Sequence, residues 1–223
     1  MGDFAQNGMV ATLHDFGTRT TEQLENELRV FSGYRPMELI LPSLYSELEG
    51  DALAHIVEEI SQIDYLGHVI IGLDRADRDQ YEHAYSFFSK LNKPFSLLWN
   101  DGPRLRTIQA ELEDRNLAPT EPGKGRNVWY CIGMSIARDT ARSVALHDCD
   151  IKTYDRRMLA KLFYPVVNPL FNFEFCKGYY PRVANGKMNG RVARLLVFPL
   201  LTALEKTIGK SDYLNFMKSF KYP

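Results

Sequence analysis

The chain has 223 residues, of which 45% are apolar and 25% charged, and its formal net charge is −1. That length suits one large α/β domain or two small ones, and the composition is that of an ordinary globular protein. The near-zero balance supplies no field aimed at nucleic acid or at an anionic membrane. No apolar run approaches the roughly 18 residues of a membrane span, so none is expected. The three cysteines, Cys131, Cys149 and Cys176, are widely spaced and lack metal-finger spacing, which reads as reduced thiols in a cytoplasmic protein. The opening Met1-Gly2-Asp3-Phe4 carries an early acid and no basic-then-apolar pattern, so a secretory signal is not expected.

Residues 1–20 are polar and irregular, and a loosely attached arm is expected there. Thr21 opens a helix through Phe31, with Glu22 and Glu25 in the first turns, where negative charge suits the helix dipole. Glu38 to Leu41 reads as a first strand stopped by Pro42, and Asp51 to Ile63 as a helix with Leu53, Ile56, Ile60 and Ile63 on one face. His68 to Leu73 is a second strand ending in Asp74. Residues 77–91 read as a helix, and Pro94 to Trp99 as a third strand running into Asn100-Asp101-Gly102. Residues 104–115 are helical, and Ala118 to Gly125 is a loop rich in Pro and Gly. A helix from Asn127 to Arg138 leads to a short buried strand, Ser143 to Leu146. Beyond it, Thr153 to Leu162 reads as a helix and Phe171 to Lys177 as a half-exposed strand. A basic loop follows from Arg182 to Arg191, and then a helix from Arg191 to Ile208.

Short β-rich runs alternating with amphipathic helices predict an α/β fold, with a mostly parallel sheet covered on both faces. The strand ends carry Ser43, Asp74, Asn100 and Asp148, which would share one edge of the sheet. In open α/β sheets that carboxyl edge is where ligands bind. The last of these ends is an Asp-x-Asp pair, Asp148 and Asp150. It places two hard oxygen ligands near one point, which suits Mg²⁺ or Mn²⁺ holding a diphosphate; the alternative is a plain strand-to-turn junction, where Asp is common. Strand alternation turns His147 away from Asp148 toward a packed supporting role, and turns Cys149 back into the sheet. Gly123-Lys124-Gly125-Arg126 offers glycines for close approach and two cations for phosphate, or a plain surface turn. Arg182, Lys187, Arg191 and Arg194 suit an anionic substrate, or a solvated face. Neither a Gly-x-Gly-x-x-Gly nor a Gly-x-x-x-x-Gly-Lys-Ser/Thr motif occurs, which counts against dinucleotide and P-loop chemistry.

Taken in order, Leu41-Pro42-Ser43-Leu44, the Asp74 strand end, Gly123-Lys124-Gly125, Asp148-Cys149-Asp150 and Gly190-Arg191-Val192 resemble the motifs of GT-A glycosyltransferases. The resemblance is strongest to the retaining glucosyl-3-phosphoglycerate synthases and their mannosyl-transferring relatives. It implies a GT-A (Rossmann-like) sheet. An amino-terminal arm and helix would occupy residues 1–35, a nucleotide-sugar subdomain 36–151, and the start of an acceptor subdomain 152–223. It implies transfer of glucose from UDP- or GDP-glucose to 3-phosphoglycerate. By position, Pro42 and Leu44 would hold the base, Asp74 the base and ribose, and Lys124 the nucleotide. Asp148 would meet the ribose and sugar, Asp150 would bind Mg²⁺ or Mn²⁺, and Gly190, Arg191 and Val192 would grip the acceptor, with Arg191 orienting it. A homodimer is also implied. The family usually carries Asn-Glu-Glu after its Pro-x-Leu element, where Tyr45-Ser46-Glu47 stands here. The family also continues past the position of Pro223, so an amino-terminal fragment or a shortened relative is expected. The other classes open at this stage are mannosyl transfer, a nucleotide-sugar-binding module without turnover, and a nucleotidyltransferase.

Overall fold

The computed structural model describes residues 10–12, 19–119, 121–178, 183–184, 187–188, 196–209 and 211–214. It divides into two compact units, Thr18–Pro169 and a second made of Met1–Gly17 with Leu170–Pro223. Among the described residues no helix is long and apolar enough to cross a membrane.

In chain order the elements are β1 (Val10–Thr12), α1 (Thr21–Ser32), β2 (Met37–Leu44), α2 (Asp51–Ser61), β3 (Leu66–Asp74), α3 (Arg78–Phe88), β4 (Phe95–Trp99), α4 (Pro103–Asp114), α5 (Lys124–Arg138), β5 (Ser143–Leu146), α6 (Arg156–Val167), β6 (Phe175–Lys177), β7 (Val183–Ala184), β8 (Lys187–Met188) and α7 (Phe198–Ile208).

The unit Thr18–Pro169 is built on a parallel sheet in the order β4-β3-β2-β5. Alternate residues sort to its two faces. Leu39, Leu41, Val69, Ile71 and Leu73 belong to a large core that also takes in Leu28 of α1, Leu53 and Ile56 of α2, Phe88 of α3, and Leu159 and Phe163 of α6. Each fully buried Leu or Ile there contributes about 1.5–3 kcal/mol. Ile40 and Ile70 point the other way, into a smaller core with Cys131 of α5. Helices therefore cover both faces, as the alternating pattern requires.

In this unit four expectations change. The strand β2 does not stop at Pro42 but runs to Leu44. Its pairing with β5 ends at Ile40, whose carbonyl accepts from His147 N. Pro42 lies two residues on, so its missing N–H falls on that same side, past the end of the ladder, and costs no ladder bond. Secondly, β5 is not a buried strand. It is the edge strand, α5 lies over β2 and β3, and Val144 and Leu146 each remain 46% exposed. Thirdly, α5 begins at Lys124 rather than Asn127. Lastly, α6 begins at Arg156 because Asp155 caps it, its carboxylate accepting from Arg157 N at 2.7 Å.

In the second unit, β1 pairs parallel with β6, and β7 pairs antiparallel with β8. Residues 10–12, read from the sequence as part of a loose arm, thus form a strand. The strand expected over Phe171–Lys177 is confined to Phe175–Lys177.

Candidate active site

Because the strands are parallel, their carboxyl ends share one edge. Asp74 ends β3 and is buried. Its Oδ1 accepts from Asn100 Nδ2 at 3.4 Å, just past β4, and from Arg126 of α5 at 3.3 Å. Arg126, one of the two cations the sequence offers to phosphate or to a surface turn, is paired here with Asp74. Asn100 Oδ1 and Arg126 Nε are buried beside this carboxylate without a protein partner. Buried polar atoms left open at a ligand edge are the pattern expected where a polar ligand or water completes the bonding.

The Asp-x-Asp segment follows β5 and enters a turn at Cys149 and Asp150, while the burial pattern of the strand carries on. From Ser143 to Asp150 the residues alternate strictly, with Ser143, Ala145, His147 and Cys149 buried and Val144, Leu146, Asp148 and Asp150 turned outward. Both acids are therefore left accessible past the strand end, and Lys124 at the start of α5 donates to Asp148 Oδ1. His147 and Cys149 face the core as the alternation predicts. Burial pushes the His147 imidazole down to about 4, so it is neutral at pH 7, and burial pushes the Cys149 thiol well up. His147 Nδ1 lies 3.0 Å from the Tyr154 hydroxyl rather than toward the acids.

Lys124 is placed by a helix pinned at both ends. Gly123, at φ +142°, precedes it in a conformation that only glycine adopts readily. Near the start of α5, Asn127 Nδ2 donates to Gly72 O at 2.8 Å. Near its end, Ser135 Oγ donates to the buried carboxylate of Glu38 on β2 at 2.7 Å, with Thr140 Oγ1 and Arg138 Nε also donating to it.

Pro42 and Leu44 stand at the end of β2, on the same edge. The Leu44 N–H donates to Glu47 Oε2 at 2.9 Å, and Tyr45 OH lies 3.1 Å from His83 Nδ1. The Tyr-Ser-Glu departure thus includes a carboxylate that shapes the segment's own backbone. Gly190, Arg191 and Val192 lie outside the described residues, as do Arg182 and Arg194.

Among the described residues no group of three or more His, Cys, Asp and Glu comes together to hold a metal. The outward carboxylates of Asp148 and Asp150 supply hard oxygens and no competing imidazole or thiol, since His147 and Cys149 face inward. That donor set fits Mg²⁺ or Mn²⁺ sharing its remaining positions with a diphosphate and water.

The sequence identified the strand ends and the Asp pair. It did not single out Tyr154, whose hydroxyl lies 3.0 Å from His147 Nδ1, or His55, whose Nε2 lies 2.9 Å from Tyr154 O; the one available signal was the inward parity of His147.

No family model matches the chain. It is 43% identical over 222 residues to the glucosyl-3-phosphoglycerate synthase of Persephonella marina, covering 100% of this chain and 55% of that protein. It is 37% identical over 223 residues to the Methanococcoides burtonii protein of the same name, covering 99% of this chain and 54% of that one. The chain thus spans about half the length of the curated relatives it matches. Among solved structures, glucosyl-3-phosphoglycerate synthase from Mycobacterium tuberculosis in complex with Mn²⁺, UDP-glucose and phosphoglyceric acid shares the fold, with TM-score 0.55 at 20% identity over 89% of this chain and 59% of that one. The same enzyme in complex with UDP gives TM-score 0.54, at the same identity and coverage.

Proposed function

We propose that this chain, a relative over its whole length of glucosyl-3-phosphoglycerate synthases, carries the donor-binding half of a metal-dependent retaining GT-A glycosyltransferase. The reaction is transfer of glucose from UDP- or GDP-glucose to 3-phosphoglycerate. The observation that carries this reading is the parity of Asp148 and Asp150, both outward at the carboxyl edge of the sheet with Lys124 on Asp148.

In this reading Asp150 would hold Mg²⁺ or Mn²⁺, which would supply Lewis-acid neutralisation of the diphosphate leaving group. The chain's own groups do the rest. Lys124 exchanges part of its contact with Asp148 for the donor's phosphate oxygens, and the amino end of α5 adds its partial positive charge. Asp74, held by Asn100 and Arg126, meets the base and ribose, and Pro42 and Leu44 border the base. Gly190, Arg191 and Val192 grip the phosphate and carboxylate of the acceptor, with Arg191 orienting its hydroxyl for attack on the same face as the leaving group. Most of the rate gain then comes from positioning and charge stabilisation. The resemblance adds a cytoplasmic homodimer to this reading.

The test is calorimetric titration with UDP and with GDP, each with and without Mn²⁺, on the parent and on Asp150→Asn. Metal-dependent binding of one nucleotide is expected, lost in the variant by tenfold or more, about 1.4 kcal/mol. Equal metal-dependent binding by parent and variant would overturn the site.

A further inference from the structure

The ladder between β2 and β5 ends at Ile40 and Leu146, with one more bond from His147 N to Ile40 O at 3.1 Å. The alternation of buried and exposed residues nevertheless persists to Asp150, through a turn entered at Cys149. The ladder no longer holds residues 148–150; Cys149 keeps a side-chain hydrogen bond with Ser43 of β2, and the rest of the hold must come from elsewhere. A rearranged turn there would bring Cys149 out and change where the two carboxylates stand.

The side chains behind the turn supply that hold. His147 and Tyr154 are both buried, and their rings meet edge-on, with centroids 5.3 Å apart and planes at 71°. His147 Nδ1 lies 3.0 Å from Tyr154 OH. Tyr154 is itself fixed through its backbone, its N–H donating to Ile151 O at 3.3 Å and its carbonyl lying 2.9 Å from His55 Nε2 on α2. One helical turn along α2, Glu59 Oε2 accepts from Arg156 N at 3.0 Å. The segment from 147 to 156 is therefore sewn to α2 at His55 and Glu59. Burying an imidazole and a phenol is costly unless each finds a partner, and two apolar side chains would fill the same space without that cost. What the polar pair adds is direction: the bond forms only when His147 faces inward, and His147 facing inward sets Asp148 and Asp150 outward.

We propose that the His147–Tyr154–His55 chain of contacts is a clamp that fixes the parity of the Asp148–Asp150 turn, so that His147 and Tyr154 are positioning residues for metal-dependent nucleotide binding. The binding consequence rests on the function proposed above; the clamp itself does not.

Cys149 is a built-in reporter, because it is buried between the two acids and reaches a thiol reagent only when the turn opens. Cys131, buried on α5, reports opening of the sheet instead. Labelling under native conditions, resolved by site with mass spectrometry, is compared for the parent, Tyr154→Phe, His147→Phe and the double variant. Tyr154→Phe keeps the ring and removes only the hydroxyl. Loss of one buried hydrogen bond corresponds to about a five- to tenfold faster labelling of Cys149, with Cys131 unchanged within about twofold. The double variant is expected to be no faster than the faster single variant, since one contact is being removed twice. In calorimetry, Tyr154→Phe weakens UDP binding in Mn²⁺ by a similar factor and leaves metal-free binding as in the parent. Unchanged labelling of Cys149 would overturn the clamp, and so would a parallel rise at Cys131, which marks general destabilisation. If the parent binds no nucleotide, the functional reading fails while the ratio of Cys149 to Cys131 labelling still decides the clamp.

Discussion

The position of α5 depends on an absent side chain at Gly72, and the substitution Gly72→Ala tests how much. A Cβ built there would lie 1.7 Å from Asn127 Oδ1 and 2.6 Å from Cys131 Sγ. Neither neighbour yields easily. Asn127 is buried and donates to the carbonyl of Gly72 itself, and Cys131 is fully enclosed beneath α5. The methyl group must therefore lift α5 from β3 or break the Asn127 bond. Overpacking of this kind costs about 1–3 kcal/mol, and a buried amide left without its partner about 1–3 kcal/mol. Either route therefore costs about 1–3 kcal/mol, or a fall in Tm of about 2–12 °C for a chain of this size. Urea unfolding with thermal melts measures it. Because Lys124 and Arg126 ride on the first turn of α5, nucleotide affinity should fall in step. Gly72→Ala with Asn127→Ala removes the 1.7 Å contact but not the one with sulfur, and should recover part of the loss. If Gly72→Ala melts within about 2 °C of the parent, close approach of α5 to β3 is not what holds the site.

Lys124→Met separates stability from binding at the same helix end. The Lys124 and Asp148 side chains are 55% and 44% exposed, so their ion pair contributes no more than about 1 kcal/mol. Tm should move little while nucleotide affinity in calorimetry falls about tenfold or more; a large fall in Tm with unchanged affinity would refute the assignment. His68 gives a pH dependence. It is buried on β3 with Nε2 2.9 Å from Ser96 Oγ, and burial holds its pKa below the ordinary 6.5. The neutral ring is the form the fold accepts, so its full contribution is present above pH 6.5. As pH falls below that value the unfolded chain binds a proton that the folded chain refuses, and stability declines until the lower folded pKa is passed. Urea midpoints at pH 7.5 and pH 5.5 should therefore differ more in the parent than in His68→Gln. Equal differences would show that His68 titrates alike in both states.

The sheet was legible because its evidence is local. Runs such as Val69-Ile70-Ile71 and helices with apolar residues every three or four positions follow directly from periodicity, and they lie where expected. The misread features depend on neighbours that a single segment does not encode. Val144 and Leu146 are apolar whether β5 is central or at an edge, and only the strand order exposes them. Pro42 reads as a stop until the ladder partner on its N–H side is known to have ended two residues earlier. Lys124 reads as a loop residue because glycines flank it, yet a glycine at positive φ is also how this helix begins. The same distinction holds at the site. The alternation of burial through Asp148 and Asp150 has a period of two and can be read from five letters, although Cys149 and Asp150 already lie in a turn. What keeps that parity beyond the last ladder bond comes from Tyr154, seven residues on in a segment without periodicity, and from His55 about ninety residues back. A site whose acids are set by period and secured by distant polar contacts shows its chemistry in the sequence and its rigidity only in the fold.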